Sequence, residues 1–192
     1  DIQTILKSRE KIPVYILGEG SNLLSNDRGI RGIVISLKEC FKEIKRPIFF
    51  KKEDGKRRAV IKVGAGAKMS YLAKHAARFS LKGIERLVGI PGSLGGAIIM
   101  NAGAEGAEIG TVLRSVTRIT RNGEIETLKG EDLSFQYRKT IFPGESGVII
   151  EAEIELEEGD RSEIMSTMDR HLSRRAQTQP LTIPNSGSIF KN

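Results

Sequence analysis

The sequence predicts an α+β fold in which short strands and two amphipathic helices are joined by glycine-rich turns. Three observations lead to this prediction. Short apolar runs typical of strands are followed by glycine turns, apolar residues recur at helical spacing in other stretches, and no internal repeat or low-complexity linker interrupts the order. With 39% hydrophobic and 29% charged residues, the 192-residue chain has the composition of a globular protein.

The N-terminal part predicts the end of a helix and two buried strands. Residues 3–10 are typical of a helix end, and the apolar runs 14–17 and 32–37 are typical of strands separated by a turn at 26–29. The first run leads into the sequence GEGSN at 18–22. This differs from a Rossmann unit, whose GxGxxG motif opens a long helix, because the third glycine is missing here.

The middle of the chain predicts two hairpins with a helix between them. Residues 48–52 pair with 58–63 across a charged tip, and Asn122-Gly123 is a strong hairpin turn between 115–120 and 124–128. Between them, the sequence GAGA at 64–67 precedes a helix. We interpret its apolar stripe as core packing: Met69, Leu72, Ala73, Ala76 and Phe79.

The C-terminal part predicts a strand, a helix and a loop. Apolar residues alternate with polar ones along 147–156, residues 161–177 read as a helix, and 180–187 form a loop leading into 188–190. The acidic turn 157–160 is a reasonable domain boundary.

Composition restricts the classes of function. The single cysteine, Cys40, excludes an internal disulfide and is expected to be a buried thiol; His75 and His171 are far apart, so no metal site is expected. The net charge of +7 is spread among acidic residues, and the chain has no tryptophan and three tyrosines. This pattern favours attraction of small anions over a nucleic-acid partner.

The uncharged stretch 87–104 approaches the length of a membrane span, but Pro91 and its glycines would break the helix that lipid requires. We therefore expect no membrane insertion. No secretory signal is visible at the start, so a cytoplasmic location is expected. Because the chain lacks an initiator methionine and finishes in the middle of what looks like a motif, we expect the natural protein to be longer at both ends.

The most informative stretch is GIPGSLGGAIIMNAG at 89–103, in which five of fifteen residues are glycine. Glycine is tolerated at such density where the main chain must approach a ligand closely. Together with 18–22 and 64–67, it presents N–H groups that suit an anion, so a large phosphate-bearing cofactor is the natural candidate. Any one of these turns alone could be an ordinary tight turn.

Five motifs, in this order, resemble the UDP-N-acetylenolpyruvoylglucosamine reductase family of peptidoglycan synthesis. They are GEGSNLL at 18–24, GAGA at 64–67, GIPGSLGGAIIMNAGAEG at 89–106, FQYRKTIF at 135–142 and NSGSIFKN at 185–192. The resemblance implies a flavin fold of the vanillyl-alcohol oxidase type, in which two α+β subdomains enclose FAD and a further domain brings the substrate. The implied units are 1–42, the rest of the first FAD-binding subdomain; 43–157, the second; and 158–192, the start of the substrate-binding domain.

The resemblance also implies which residues contact FAD. The glycine segments would supply the following residues: Gly18, Gly20, Ser21, Asn22, Gly64, Gly66, Pro91, Gly92, Ser93, Gly95, Gly96, Asn101 and Gly103. The first two segments would lie at or near the pyrophosphate, and the third would wrap the diphosphate, ribityl chain and flavin ring edge.

The implied reaction uses NADPH to reduce FAD, which then passes a hydride to the enolpyruvyl group of a nucleotide sugar. Arg138 would bind and polarise the substrate carboxylate, because a guanidinium grips a carboxylate in a fork, and Ser188 would supply the proton. Tyr137, Lys191 and Asn192 are candidate substrate contacts. Alternatives are a flavoprotein oxidase of the same fold and a non-catalytic nucleotide-binding domain.

Some positions depart from the family pattern. Glu105 stands where the family commonly has tyrosine, and Thr140 where it often has serine. The family's catalytic glutamate falls beyond Asn192, so this chain would hold part of the site. We interpret Arg174 and Arg175 as solvated, with contact to a nucleotide-sugar diphosphate as the alternative.

Overall fold

Four helices and twelve strands are formed by residues 1–9, 11–144 and 147–180, the part of the chain that this computed structural model describes. The helices are α1 (Ile2–Ser8), α2 (Met69–Arg78), α3 (Leu94–Ile99) and α4 (Arg161–Thr178). The strands are β1 (Val14–Leu17), β2 (Ile33–Ser36), β3 (Ile48–Lys51), β4 (Arg57–Gly64), β5 (Leu81–Lys82), β6 (Gly103–Ala104), β7 (Ala107–Glu108), β8 (Leu113–Ile119), β9 (Ile125–Lys129), β10 (Ser134–Gln136), β11 (Lys139–Ile141) and β12 (Val148–Glu158). The predicted α+β class is confirmed.

The main sheet has the antiparallel order β3-β4-β12-β8-β9, and β5 pairs with the far end of β12. Both predicted hairpins form in it, β3–β4 and β8–β9. Along β12, Ala152, Ile154 and Leu156 are buried, as the alternation predicts. The glutamates that alternate with these residues lie on the opposite face and pair with basic residues, for example Glu151 with Lys62 at 2.7 Å.

Helix α2 packs its predicted apolar stripe into the core that the main sheet builds. Met69, Leu72 and Ala76 of this helix are at most 1% exposed and belong to that core. On its other side, Ala73 and Ala77 pack against Ile164 and Met168 of α4. Asp160 caps the N-terminus of helix α4, because its carboxylate accepts a hydrogen bond from the Glu163 main-chain N–H.

Strands β1 and β2 form a separate parallel pair, and the prediction that they are buried is wrong. Val14 and Ile35 are partly buried against Leu6 and Leu37, but Tyr15 is 45% exposed. Ile16 and Val34 are exposed as well. A two-stranded sheet with one packed face leaves its other face to solvent.

The expectation that Cys40 is buried is also wrong, because its thiol is exposed. Its main-chain carbonyl oxygen, and not its side chain, packs against Gly66. His75 lies in α2 and His171 is buried in α4, and no cluster of metal-ligating side chains occurs within the described ranges. Of the described helices, none combines the length and apolarity that a bilayer span needs.

Candidate functional site

The structure brings the three glycine segments together. We name them the first (18–22), second (64–67) and third (89–103) glycine segments. The second and third are joined by main-chain hydrogen bonds, from the Leu94 N–H to the Ala67 carbonyl and from the Gly95 N–H to the Ala65 carbonyl, both at 2.8 Å. The first meets the third where the Ser21 hydroxyl donates to the Pro91 carbonyl at 3.3 Å.

The contact between the first and third segments depends on missing side chains. A Cβ atom placed on Gly18 would lie 2.6 Å from the Ser93 Oγ, and one on Gly92 would lie 2.9 Å from the Ser21 Oγ. Gly92 also has a φ of +116°, which residues with a side chain rarely adopt. A side chain at either position would require the serine hydroxyl opposite it to move, and at Gly92 it would also strain the main chain.

The first segment presents main-chain N–H groups that donate no hydrogen bond to the part of the chain that the structure describes. Among the described residues, no acceptor receives a hydrogen bond from the five amides of residues 18–22. These residues follow β1 directly and are largely exposed, except that Gly18 and Glu19 are half-buried. A run of unused amides is the arrangement that binds phosphate oxygens.

Within the described residues, no contact requires a glycine at position 96. It lies in α3, where glycine is about 1 kcal/mol less favourable than alanine. A Cβ atom at this position would meet only the Ser93 Oγ, at 3.7 Å, which is an ordinary contact. An exposed helical glycine with room for a side chain fits the close approach of another molecule, so this surface fits a bulky ligand such as FAD.

Gly64, Gly66 and Gly95 have a different explanation. Cβ atoms on Gly64 and Gly66 would collide with the carbonyl oxygens of Phe41 and Cys40, and one on Gly95 would lie 3.1 Å from the Ala65 Cβ. These glycines let the chain pack against itself. Their contact with a cofactor stays a prediction.

Asn101 and Gly103 contact other parts of the protein and thereby fix the end of the third segment. Asn101 is 1% exposed, and its Nδ2 donates to the Glu108 carboxylate at 2.7 Å and to the Gln136 carbonyl at 3.2 Å. Its Oδ1 accepts from the Gly110 N–H at 3.1 Å, so the side chain is bound to protein on both sides. A Cβ atom on Gly103 would lie 2.6 Å from the Ala107 carbonyl oxygen, within the β6–β7 hairpin.

Arg138 lies in the tight turn between β10 and β11, next to the third segment. Its φ is +56°, and its Nη1 donates to the Gly103 carbonyl at 3.1 Å. The guanidinium carbon lies 5.2 Å from the centre of the exposed Tyr137 ring. A left-handed conformation costs an arginine on the order of 1 kcal/mol, and such strain is found at functional sites.

Thr140 fixes this turn to α3. Its hydroxyl is buried and donates to the Ile98 carbonyl, a bond that the serine common at this position could also make. The departure from the family pattern therefore leaves the contact in place.

Three charged residues that the sequence analysis did not name contact the glycine segments. Lys68, directly after the second segment, places its Nζ 3.9 Å from the carboxylate of Glu19 in the first. Glu108 holds Asn101, as described above. Lys68 directly follows the second segment and Glu19 lies within the first, and that position in the sequence is the signal that could have found them.

Arg174 and Arg175 contact the site region, so the expectation of purely solvated side chains is wrong for Arg175. Arg175 donates to the Gly89 carbonyl, and its partial burial lowers the pKa of its guanidinium. Arg174 is exposed but pairs with Glu105 at 2.7 Å. Ser188, Lys191 and Asn192 lie outside the described residues.

Comparisons with known proteins give a consistent picture. The family model described as "FAD binding domain" matches residues 1–129. UDP-N-acetylenolpyruvoylglucosamine reductase 2 of Symbiobacterium thermophilum is 40% identical over 187 residues, which cover 97% of this chain and 58% of that protein. The reductase of Clostridioides difficile is 40% identical over 192 residues, covering 99% of this chain and 60% of that protein.

Solved structures agree. The crystal structure of UDP-N-acetylenolpyruvylglucosamine reductase from Thermus caldophilus is 31% identical with a TM-score of 0.73, covering 99% of this chain and 65% of that one. A Phl p 4 variant described as a glucose oxidase, 12% identical with a TM-score of 0.50 over 81% of this chain and 32% of that one, shares the fold. The relatives confirm the family resemblance, although this chain spans only 58–60% of the two curated proteins above.

Proposed function

The chain belongs to the family of FAD binding domains, which confirms FAD as the predicted cofactor, and on this premise we propose that it is the FAD-binding part of a UDP-N-acetylenolpyruvoylglucosamine reductase. The full-length protein would convert UDP-N-acetylglucosamine enolpyruvate to UDP-N-acetylmuramate with NADPH, in peptidoglycan synthesis and in the cytoplasm. Identity of 40% to named reductases supports this choice over an oxidase, since the glucose oxidase variant is only 12% identical.

The observation that carries the proposal is the meeting of three glycine segments beside Arg138. The first segment offers its unused amides to the pyrophosphate of FAD, and Gly96 leaves room for the cofactor on α3. When bound, FAD would supply the redox chemistry, taking two electrons from NADPH and passing them to the enolpyruvyl double bond.

The protein's own residues would handle the charge that develops on the substrate. Electrons added to the double bond spread into the substrate carboxylate, where a guanidinium that is always charged stabilises them. Arg138 is suited to this role because its turn is fixed to the third segment through Gly103 and Thr140. Ser188 would hold the proton that completes the product, and Tyr137, Lys191 and Asn192 would contact the substrate.

The test uses the full-length protein and follows its two half-reactions separately. Purified protein should carry or take up FAD, NADPH should bleach the visible flavin absorption without air, and the enolpyruvyl substrate should restore it. Replacing the proton donor, Ser188→Ala, should leave bleaching unchanged and slow the restoration by at least about a hundredfold, because general acid catalysis is lost.

Two results would count against the proposal. A colourless protein that binds no added FAD would remove the cofactor assignment. A protein that bleaches with NADPH but is restored by oxygen and not by the enolpyruvyl substrate would favour the oxidase alternative.

A further inference from the structure

Lys68 lies where the three glycine segments meet. It directly follows the second segment, and its main chain pairs with that of Ser93 in the third through an isolated antiparallel bridge. The next residue, Met69, donates from its main-chain N–H to the Gly92 carbonyl at 3.1 Å. Because the Ser93 side chain faces Gly18 of the first segment, Lys68 starts beside all three segments.

Glu19 of the first segment is a largely buried carboxylate next to this lysine. Its side chain is 15% exposed, and its Oε1 is buried and accepts no hydrogen bond from the described residues. Its Oε2 lies 3.9 Å from the Nζ of Lys68. Burial of a carboxylate is costly unless a cation or hydrogen-bond donors compensate its charge. Lys68 supplies this compensation, and the attraction places its ammonium group beside the first segment.

The ammonium group of Lys68 has donors that Glu19 does not use. At 3.9 Å the contact between the two charges is an ion pair, too long for a hydrogen bond. The lysine side chain is 48% exposed, and its Nζ lies 6.0 Å from the centre of the exposed Tyr71 ring. Lys68 therefore presents a compact positive charge to solvent at the edge of the glycine segments.

From this arrangement we infer that the ammonium group of Lys68 binds a phosphate of the FAD pyrophosphate. The inference rests on the proposed function, because it names a further contact to the cofactor of the same site. The amides of residues 18–22 offer directional donors to phosphate oxygens but carry no net charge. A lysine ammonium adds the charge that the amides lack.

Two roles of Lys68 would favour FAD, and they have different consequences. The ammonium group either touches a phosphate or only cancels the charge of Glu19, which would otherwise repel the pyrophosphate. Contact with a phosphate predicts a loss of FAD affinity on removal of Lys68 even when Glu19 has been neutralised. Cancellation alone predicts no loss in that background.

The experiment measures the affinity of the full-length apoprotein for FAD and for riboflavin, which has the flavin ring and ribityl chain but no phosphate. Lys68→Gln should lower FAD affinity about tenfold or more and leave riboflavin affinity unchanged, because the lost contact is to a phosphate. The difference in FAD affinity between the wild type and the variant should shrink as NaCl is raised, because salt screens an exposed ion pair. Equal losses for FAD and riboflavin would overturn the inference.

Lys74→Gln is the matched control. Lys74 is an exposed lysine of α2, six residues after Lys68, and its substitution removes the same charge. FAD affinity should stay within about twofold of the wild type, because a distant exposed charge is screened. An equal loss of FAD affinity in Lys68→Gln and Lys74→Gln would show that FAD responds to the overall charge of the protein, and the inference would be wrong.

Glu19→Gln separates the two roles of Lys68. In this background, Lys68→Gln should still lower FAD affinity by about fivefold or more, because the phosphate contact is lost there as well. The double variant has no uncompensated carboxylate at position 19, so its loss of FAD affinity does not come from an unpaired buried charge. Unchanged FAD affinity between Glu19→Gln and the double variant would assign Lys68 to charge cancellation alone and overturn the inference.

Failure of the inference can be told apart from failure of the proposed function. A wild-type protein that binds no FAD contradicts the proposed function. A wild-type protein that binds FAD, while Lys68→Gln binds it equally well, contradicts the inference alone.

Discussion

The glycines of the second segment and Gly96 of the third are present for opposite reasons. In the second, Gly64 and Gly66 are required because the carbonyl oxygens of Phe41 and Cys40 occupy the space where side chains would be. In the third, Gly96 lies in α3 and has room for a side chain, which would make only an ordinary contact with the Ser93 Oγ at 3.7 Å. The density of glycines in a sequence therefore does not distinguish a packing contact from a ligand-binding surface. The space that a Cβ atom would have at each glycine does distinguish them.

The largest effect is expected at Gly64. Gly64→Ala places a methyl group against a main-chain oxygen that cannot move without shifting the turn at Phe41. We expect a loss of about 2–3 kcal/mol in the free energy of unfolding, as for other overpacked core positions. Denaturant unfolding measures it, and a change below about 0.5 kcal/mol would show that the second segment is not a packing contact.

Gly96→Ala should act on the ligand and not on the fold. The substitution suits a helix and has room, so it should stabilise the protein without cofactor by up to about 1 kcal/mol. FAD affinity should fall by about tenfold or more, since the methyl group occupies the surface that the cofactor approaches. Unfolding curves and FAD titrations measure the two quantities.

A matched control is available in α4. Ser166→Ala also introduces alanine at an exposed helical position, far along the chain from the glycine segments. It should raise stability slightly and leave FAD affinity unchanged. If Gly96→Ala likewise leaves FAD affinity unchanged, Gly96 is not required for binding FAD, and this explanation of its presence is wrong.

A smaller effect is expected where the Arg138 turn is fixed to the third segment. Thr140→Val removes the hydroxyl that donates to the Ile98 carbonyl, which should cost about 1 kcal/mol of unfolding free energy. Thr140→Ser keeps the donor and should preserve substrate-dependent reoxidation better than Thr140→Val does. Equal behaviour of the two variants would show that the hydroxyl does not position the turn.

Much of the main sheet and the convergence of the glycine segments could be predicted from the sequence. Helix α2, the Asn122-Gly123 hairpin and the alternation in β12 depend on local patterns, and the structure has all three. Helix α3 could not be predicted, because Gly95 and Gly96 lower helix propensity. It forms because Leu94 and Ile98 are buried and its first amides bond to the second segment.

Contacts between distant parts of the chain could not be predicted from the sequence. The reason for Gly64 lies in Phe41, more than twenty residues earlier, and nothing in GAGA reveals it. The contact between Arg175 and Gly89 joins positions 86 residues apart. The exposure of Tyr15 and Ile16 in a strand of apolar residues depends on which layers pack over that strand, which local patterns do not contain.

We expect FAD to be bound by the amides of residues 18–22, which donate no hydrogen bond to the described residues, and by the exposed surface at Gly96. Hydrogen–deuterium exchange of the full-length protein with and without FAD tests it most directly. FAD should strongly slow exchange in peptides covering 18–22 and 92–96 and should change exchange much less around 122–123. FAD binding that leaves exchange at 18–22 unchanged would contradict it.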